Sequence, residues 1–401
     1  MEQQYFSRRN HAIDLLRAMV MVLMVFVNDL WRITSYPRWL GHAAVGEDFL
    51  GLSDIVFPCF LFVVGMSIPY ALEGRDAKGK STMSILSHIF TRSLALIVMG
   101  VFLVNTESGM SPDALLSNTI YKLFLLVAFF LIWNYKSNKW FQIAGVALLL
   151  FLAFVFKDPK GGYLSARWWG ILGLIGWSYL FCALTYLFTR ARLKYIVAVW
   201  GALLLVNMLL TPLREGISTS GSRLLFGLPK INFLGDFTDA LHVGNGHTQL
   251  LTMSGVMLSV ISMKLDRKKA FTKALAAIVA VIVLLLATWL TRQWWIIDKI
   301  GGSLPWVLVS SAIAVGMYAL LSWLVTIGKA GWLSFLRPAG TSTLTCYIMP
   351  HLLYSLMTIF GFSTPAWMND GIVGIINCIC FSLLCLFLTW LFGKMGLKLK
   401  I

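Results

Sequence analysis

Residues 51–72 read GLSDIVFPCFLFVVGMSIPYAL, a stretch in which Asp54 is the single charged side chain. An α-helix rises about 1.5 Å per residue, so about 20 apolar residues span the roughly 30 Å hydrocarbon core of a bilayer. The whole chain of 401 residues is similar, with 58% hydrophobic and 12% charged residues and a mean hydropathy of +0.79. Soluble proteins carry about 25% charged residues. The composition therefore predicts an all-α polytopic membrane protein and excludes a water-soluble fold.

Apolar runs of this kind recur often enough to predict twelve transmembrane helices in one integral-membrane domain over residues 1–401. The first run follows a basic segment, as in a signal peptide, but lacks a small-x-small cleavage site and is retained as a span. The predicted spans are about 13–30, 51–72, 84–104, 117–134, 140–156, 168–188, 195–212, 247–264, 271–290, 305–327, 339–360 and 371–393.

Basic residues are concentrated in alternate gaps between these runs, as in EGRDAKGK at 73–80. Excess Lys and Arg marks cytoplasmic loops, so with Arg8 and Arg9 inside, both termini are predicted to be cytoplasmic. The net charge of +16 is then explained by membrane orientation, and no nucleic-acid partner is expected. Two long outer loops, at about 31–50 and 213–246, are where functional groups are expected.

All six cysteines lie inside apolar runs and are interpreted as small buried hydrophobes. The C-x-C pair has no further ligands at zinc-like spacing, so no metal is expected. A chain without disulfides is expected to be bacterial, so we expect it to lie in the inner (cytoplasmic) membrane with the periplasm on its far side. The six residues are Cys59, Cys182, Cys346, Cys378, Cys380 and Cys385.

Polar residues in the first predicted span are functional candidates, because ionisable groups are costly inside a membrane. Asp14 and Arg17 lie three residues apart on one helix face, where they could pair; an interfacial ion pair without further function is the alternative. Asn28 and Asp29 end the same span on the outer side. Asn28 could be structural glue between helices, and Asp29 a loop acid.

Two further groups combine histidine with an outer loop or a helix start. His42 lies in the first outer loop and Asp54 opens the second span, where it could be only a helix cap. GNGHT at 244–248, with Asn245 and His247, is a Gly-rich turn into a helix N-terminus. Such a turn could bind an anion or a carbonyl group, although glycine turns open many helices.

Three segments resemble one enzyme family in the same order along the chain. AIDLLRAMVMVLMVFVN at 12–28, GLSDIVFPCFLFVVGMSI at 51–68 and TRSLALIVMGVFLVN at 91–105 resemble the opening helices of the transmembrane acetyltransferases related to heparan-α-glucosaminide N-acetyltransferase and its bacterial relatives. The similarity is strongest over residues 8–105 and looser in the later helices.

This resemblance implies an enzyme that moves an acetyl group from cytoplasmic acetyl-CoA to the amine of an amino sugar, such as glucosamine or a glucosaminide, on the outer side of the membrane. It implies that His42 is the catalytic histidine and that Asn28 acts beside it. It also implies a homodimer.

The residue chemistry agrees with these roles. Imidazole titrates near neutral pH, so His42 could remove the amine proton or attack the thioester itself. Asn28 could donate to the developing oxyanion, and Asp54 or Asp29 could fix the histidine tautomer.

The remaining candidates are assigned to substrate binding. Arg17 and Arg92 are predicted to lie toward the cytoplasmic side, where guanidinium groups suit the phosphates of CoA, with Asp14 beside Arg17. The outer-side residues Asp29, Asn245 and His247 are assigned to the acceptor.

Two other functions fit the sequence. Twelve spans with both ends inside is a common plan for a sugar transporter, although no internal repeat is visible. The same histidine could also serve an O-acetyltransferase that modifies an envelope glycan.

Overall fold

The computed structural model describes residues 10–213, 232–265 and 270–401. Arg8 and Arg9, most of the predicted outer loop 213–246 and part of the basic gap after the eighth predicted span lie outside these residues. Within them, the chain forms fourteen α-helices and no β-strand. The helices are α1 (His11–Asp29), α2 (Leu52–Asp76), α3 (Thr82–Glu107), α4 (Asn118–Trp133), α5 (Lys139–Val155), α6 (Ile171–Phe188), α7 (Leu193–Leu210), α8 (Asn232–Ala240), α9 (His247–Leu265), α10 (Ala270–Thr291), α11 (Leu304–Thr326), α12 (Arg337–Thr341), α13 (Thr343–Ile359) and α14 (Gly371–Lys394).

Each of the twelve predicted spans coincides with one of these helices, which confirms the all-α class. In the part of the chain that the structure describes, eight helices are long and apolar enough to cross a membrane: α2, α3, α6, α7, α9, α10, α11 and α14. α4 and α5 are apolar but shorter, with 16 and 17 residues. The structure therefore supports an integral membrane protein with eight helices of spanning length, while the count of twelve stays a prediction.

The chain divides into two compact units, which are treated separately below. The first comprises the described residues of Met1–Val20, Pro37–Phe90 and Trp177–Trp332, and the second those of Met21–Tyr36, Thr91–Gly176 and Leu333–Ile401. The single membrane domain over residues 1–401 stays a prediction.

The first unit is built around a close contact between α2 and α9. A Cβ atom placed on Gly65 would lie 1.8 Å from the Thr252 carbonyl oxygen, and one on Gly255 would lie 2.0 Å from the Phe62 carbonyl oxygen. Only glycine permits this approach, which is the way that small residues bring membrane helices together. In α2, 67% of the most apolar stretch is buried, against 17% in α7 and 6% in α10, so α10 is the least buried candidate span of this unit.

The second unit packs α4 against α5 and α13, and packs α14 against α12 and α13. The buried Tyr121 hydroxyl on α4 donates to the Leu152 carbonyl oxygen on α5, at 3.1 Å. All six cysteines of the chain are free thiols, and five are buried as predicted. Cys380 is exposed on α14, so its interpretation as a buried residue was wrong: its position faces away from the helix's packing partners.

Candidate functional site

The first unit brings His42 and Asp54 together. The Nδ1 atom of His42 lies 2.8 Å from the Oδ1 atom of Asp54. Asp54 is almost fully buried, whereas 53% of the His42 side chain is exposed. A buried carboxylate beside one ring nitrogen of an accessible imidazole is the arrangement that fixes a histidine for proton transfer.

Local sequence explains why the loop that carries His42 meets the start of α2. A Cβ atom on Gly51 would lie 1.9 Å from the Gly41 carbonyl oxygen, so glycine is required for the two backbones to pass. The Ser53 hydroxyl donates to the Leu40 carbonyl oxygen at 2.6 Å and holds the same crossing. These contacts place the loop directly over the first turn of α2.

The second oxygen of Asp54 is held by backbone N–H groups from both sides of this crossing. Ala43 donates to Oδ2 at 2.9 Å and Gly51 donates to it at 3.2 Å. Asp54 is therefore a helix cap, as its sequence position suggested, and it also leaves Oδ1 directed at His42. The cap and the histidine partner are the same carboxylate.

Lys299 is a third member of this cluster. Its Nζ atom lies 3.1 Å from Nδ1 of His42, 3.6 Å from Oδ1 of Asp54 and 3.3 Å from the Ser53 carbonyl oxygen. Burial lowers the pKa of Lys299 from its ordinary value, and the Asp54 carboxylate limits that shift because it favours the ammonium form. An ammonium group therefore lies against the imidazole.

Nδ1 of His42 has two neighbours but only one hydrogen position, so it either donates to Asp54 or accepts from Lys299. We assign the proton to Nδ1, because the carboxylate is the closer neighbour and the ammonium has two other acceptors. Nε2 then carries the free lone pair. It makes no hydrogen bond with the residues that the structure describes, so it is available as a base.

The loop that carries Lys299 is fixed by two asparagines. Asn245 donates to the Gly301 carbonyl oxygen at 2.8 Å, and the buried Asn207 donates to the Gly302 carbonyl oxygen at 2.9 Å. Asn245 was predicted to bind the acceptor; in the structure its amide holds the turn beside Lys299, and acceptor binding stays a prediction.

His247 is connected to Asp54 through Trp306. The His247 and Trp306 rings meet edge to face, with centroids 5.9 Å apart, and the Trp306 indole N–H donates to the Asp54 carbonyl oxygen at 3.0 Å. Nδ1 of His247 lies 2.6 Å from Oδ1 of Asn245. His247, which follows the Gly-rich turn, therefore contacts the cluster through Trp306, and the role of the turn in acceptor binding stays a prediction.

The predicted pairing of Asp14 with Arg17 is confirmed. Arg17 Nη1 lies 3.3 Å from Asp14 Oδ1, and Arg17 Nη2 donates to the Ser67 hydroxyl of α2 at 2.5 Å. About a quarter of the Arg17 side chain is exposed. The role of this pair in binding CoA stays a prediction.

Asn28, Asp29 and Arg92 belong to the second unit. Asn28 is exposed at the end of α1 and forms no side-chain hydrogen bond with the described residues, so its amide is available. Asp29 is buried, pairs with Arg32 and accepts a hydrogen bond from the Tyr354 hydroxyl. Arg92 is half-buried on α3. Their predicted roles stay predictions.

Sequence reasoning named His42 and Asp54 but missed Lys299. This lysine is 257 positions from His42 and follows no motif in DKIGGS at 298–303. Its single signal is a Lys in a predicted outer loop, which is too common to be informative. Within the described residues, no group of His, Cys, Asp or Glu could hold a metal ion.

The fold and site define a polytopic helical membrane protein with a polar His–Asp–Lys cluster at the start of a spanning helix. Residues 9–215 match the protein family described as a domain of unknown function, DUF5009. The chain belongs to this family. The matched region contains His42 and Asp54, whereas Lys299 lies beyond it.

Two curated proteins are similar to part of the chain. Heparan-α-glucosaminide N-acetyltransferase of Mus musculus is 33% identical over 110 residues, and that of Homo sapiens is 32% identical over 108 residues. Each match covers 26% of this chain and 15% of the relative. The chain is therefore a relative of that enzyme family over a limited region.

Proposed function

We propose that this chain is a membrane acetyltransferase that moves an acetyl group from cytoplasmic acetyl-CoA to the amine of an amino sugar on the outer side of the membrane. The observation that carries the proposal is the exposed imidazole of His42, held by the buried carboxylate of Asp54. The similarity to a membrane N-acetyltransferase supports the same reaction class.

The reaction balances with His42 as the base. Nε2 removes a proton from the acceptor nitrogen, whose lone pair then attacks the acetyl carbonyl to form the C–N bond. The C–S bond breaks to release the CoA thiolate, which takes the proton back from the imidazolium. In the alternative route, Nε2 attacks the thioester first and the amine removes the acetyl group from histidine.

The neighbouring polar groups have supporting roles in this proposal. Asp54 keeps the proton on Nδ1 and stabilises the imidazolium that forms. Lys299 presents positive charge beside the ring, where it would attract an acceptor oxygen or the developing oxyanion. Asn28, in the second unit, stays the predicted oxyanion donor.

CoA would be bound from the cytoplasmic side by guanidinium groups. Arg17 is held by Asp14 and Ser67 and keeps part of its surface exposed, which suits a phosphate contact. Arg92 is the second candidate. Asp29 in the second unit, and Asn245 and His247 in the first, are separate candidates for acceptor binding on the outer side.

The test is acetyl transfer by the purified chain in lipid nanodiscs, with acetyl-labelled CoA and glucosamine. We expect His42→Ala to insert and fold but to lose transfer to within the protein-free background. His11→Ala is the matched control, since His11 is an exposed histidine at the start of α1. Full transfer by His42→Ala would overturn the proposal.

The product identifies the acceptor atom. Mass spectrometry with glucosamine, N-acetylglucosamine and a glucosamine-ended oligosaccharide separates N- from O-acetylation, because N-acetylglucosamine has only hydroxyl groups left to accept. We expect an amide product. An acetyl ester of a hydroxyl group as the main product would instead indicate an O-acetyltransferase that uses the same His42 chemistry.

The topology proposed with this function has twelve spans, both termini in the cytoplasm and one homodimeric membrane domain in a bacterial inner membrane. It places donor and acceptor on opposite sides. Single cysteines at Lys139 and Val45, in a variant without the native thiols, should label from the inner and outer side respectively. Labelling of both from one side would contradict this orientation.

A further inference from the structure

A second polar site lies in the second unit, away from the cluster described above. A cavity of about 680 Å³ is bordered by the end of α14, by α12 and by the chain's last residues. Three cations line it, Arg337, Lys394 and Lys398, and none of its lining residues is acidic. The acetyl-transfer chemistry uses none of these residues, and the cations define a site for negative charge.

The remaining wall of the cavity is mostly apolar, although four hydroxyl side chains are also among its lining residues: Ser334, Thr341, Ser342 and Thr389. Leu383, Leu386, Phe387 and Trp390 follow one another along the last turns of α14. The cavity therefore combines positive charge at one end with a hydrocarbon and aromatic wall. A ligand that fits both has an anionic head and an apolar chain.

The position of the cavity is that of a membrane interface. α14 is a candidate membrane span, and the cavity surrounds its end at Lys394. The Lys394 ammonium lies 5.8 Å from the centre of the Trp390 ring. Phe335 is exposed on the 3₁₀ segment Gly331–Leu336, which directly precedes α12. Tryptophan and lysine at the end of a span mark the headgroup layer.

We propose that this cavity binds one anionic phospholipid. Its phosphate contacts Arg337 and Lys394, and one acyl chain lies along Leu386 and Phe387. Both CoA and a lipid carry phosphate, but CoA has no long acyl chain to cover the apolar wall. A zwitterionic headgroup also carries a cation, which the three basic residues would repel, so the anionic class is selected.

The test is native mass spectrometry of the full chain, released from micelles that contain equal amounts of phosphatidylglycerol and phosphatidylcholine. We expect a bound phosphatidylglycerol that outnumbers bound phosphatidylcholine. Lys394→Gln and Arg337→Gln should each reduce that preference about fivefold, the effect of one cation near a membrane surface. Lys139→Gln is the matched control, an exposed lysine of the same unit outside the cavity, and should leave the preference unchanged.

Each outcome decides the proposal. Equal occupancy by the two lipids in the wild type, or an unchanged preference in Lys394→Gln, would overturn it. Displacement of bound phosphatidylglycerol by an equal concentration of CoA would also overturn it and identify a CoA site. Lys394 is exposed, so Lys394→Gln alone suffices if Arg337→Gln does not fold. Acetyl-transfer activity is not part of the readout.

Discussion

The substitution Asp54→Asn tests the central geometry, because it changes one atom and keeps the shape. Oδ2 accepts hydrogen bonds from the Ala43 and Gly51 N–H groups, so the single remaining oxygen should stay there. The new amide nitrogen then occupies the Oδ1 position, 2.8 Å from Nδ1 of His42. The amide nitrogen can only donate a hydrogen bond, so it stabilises the tautomer of His42 that carries its proton on Nε2. In that tautomer Nε2 has no free lone pair and cannot act as the base.

The magnitude follows from this tautomer inversion. The equivalent substitution in the serine-protease triad lowers kcat about 10⁴-fold. His42 is half-exposed and less constrained, so we expect a loss of about 10²–10⁴-fold in kcat with a smaller change in KM. The free energy of unfolding should fall by about 1–3 kcal/mol, because the Lys299 ammonium loses the buried Asp54 carboxylate as its acceptor.

A second substitution separates these two effects. In Asp54→Asn the Lys299 ammonium loses its carboxylate partner, and Lys299→Met in the same chain removes that unpaired charge. We expect the double variant to recover thermal stability but not acetyl transfer, measured by unfolding in detergent and by label incorporation. Asp54→Asn with more than a tenth of wild-type kcat would refute the tautomer argument.

Three further predictions concern the same unit. Imidazole added to His42→Gly should restore part of the transfer, because the exposed ring leaves an open space; no rescue at saturating imidazole would count against a proton-transfer role. Burial lowers the pKa of Lys299 in the folded state, so the unfolded chain binds the lysine proton more tightly. The amount by which Lys299 destabilises the folded state therefore declines as pH rises toward 10.5. The Tm difference between wild type and Lys299→Met should therefore shift in favour of wild type as pH rises toward 10.5, and a constant difference would contradict this. Gly65→Ala should destabilise by more than about 2 kcal/mol, since its Cβ would overlap the Thr252 carbonyl oxygen, whereas Gly74→Ala on the same helix has open space and should be neutral or stabilising; equal effects would contradict the packing of α2 on α9.

Helix positions could be predicted from sequence because hydropathy is a local property. The predicted span 51–72 became α2 (Leu52–Asp76), and even the shorter predicted spans coincide with helices. Whether a helix crosses the membrane depends less on local sequence, because helix length, tilt and packing together decide it. For α4 and α5, with 16 and 17 residues, the sequence alone does not determine whether they cross.

The candidate site could be predicted only in part. Sequence offered Asp54 and Asp29 as partners for the histidine; the structure places Asp54 on His42, while Asp29 is bound by Arg32 and Tyr354. Lys299 could not be predicted, because its contact depends on how a distant loop folds over the start of α2. Pairings between loops are set by tertiary packing, which leaves no periodic trace in the sequence.

α10 differs from the other helices of its unit in how strongly its residues are constrained during evolution. Ile278, Val279, Ile282 and Val283 each expose about half or more of their surface. Lipid tails solvate any aliphatic side chain about equally well, so the identity of these residues is nearly free as long as they stay apolar. By contrast, Gly65 and Gly255 are fixed by contact with backbone atoms. Members of this family should therefore differ most in α10 and least along the α2–α9 contact.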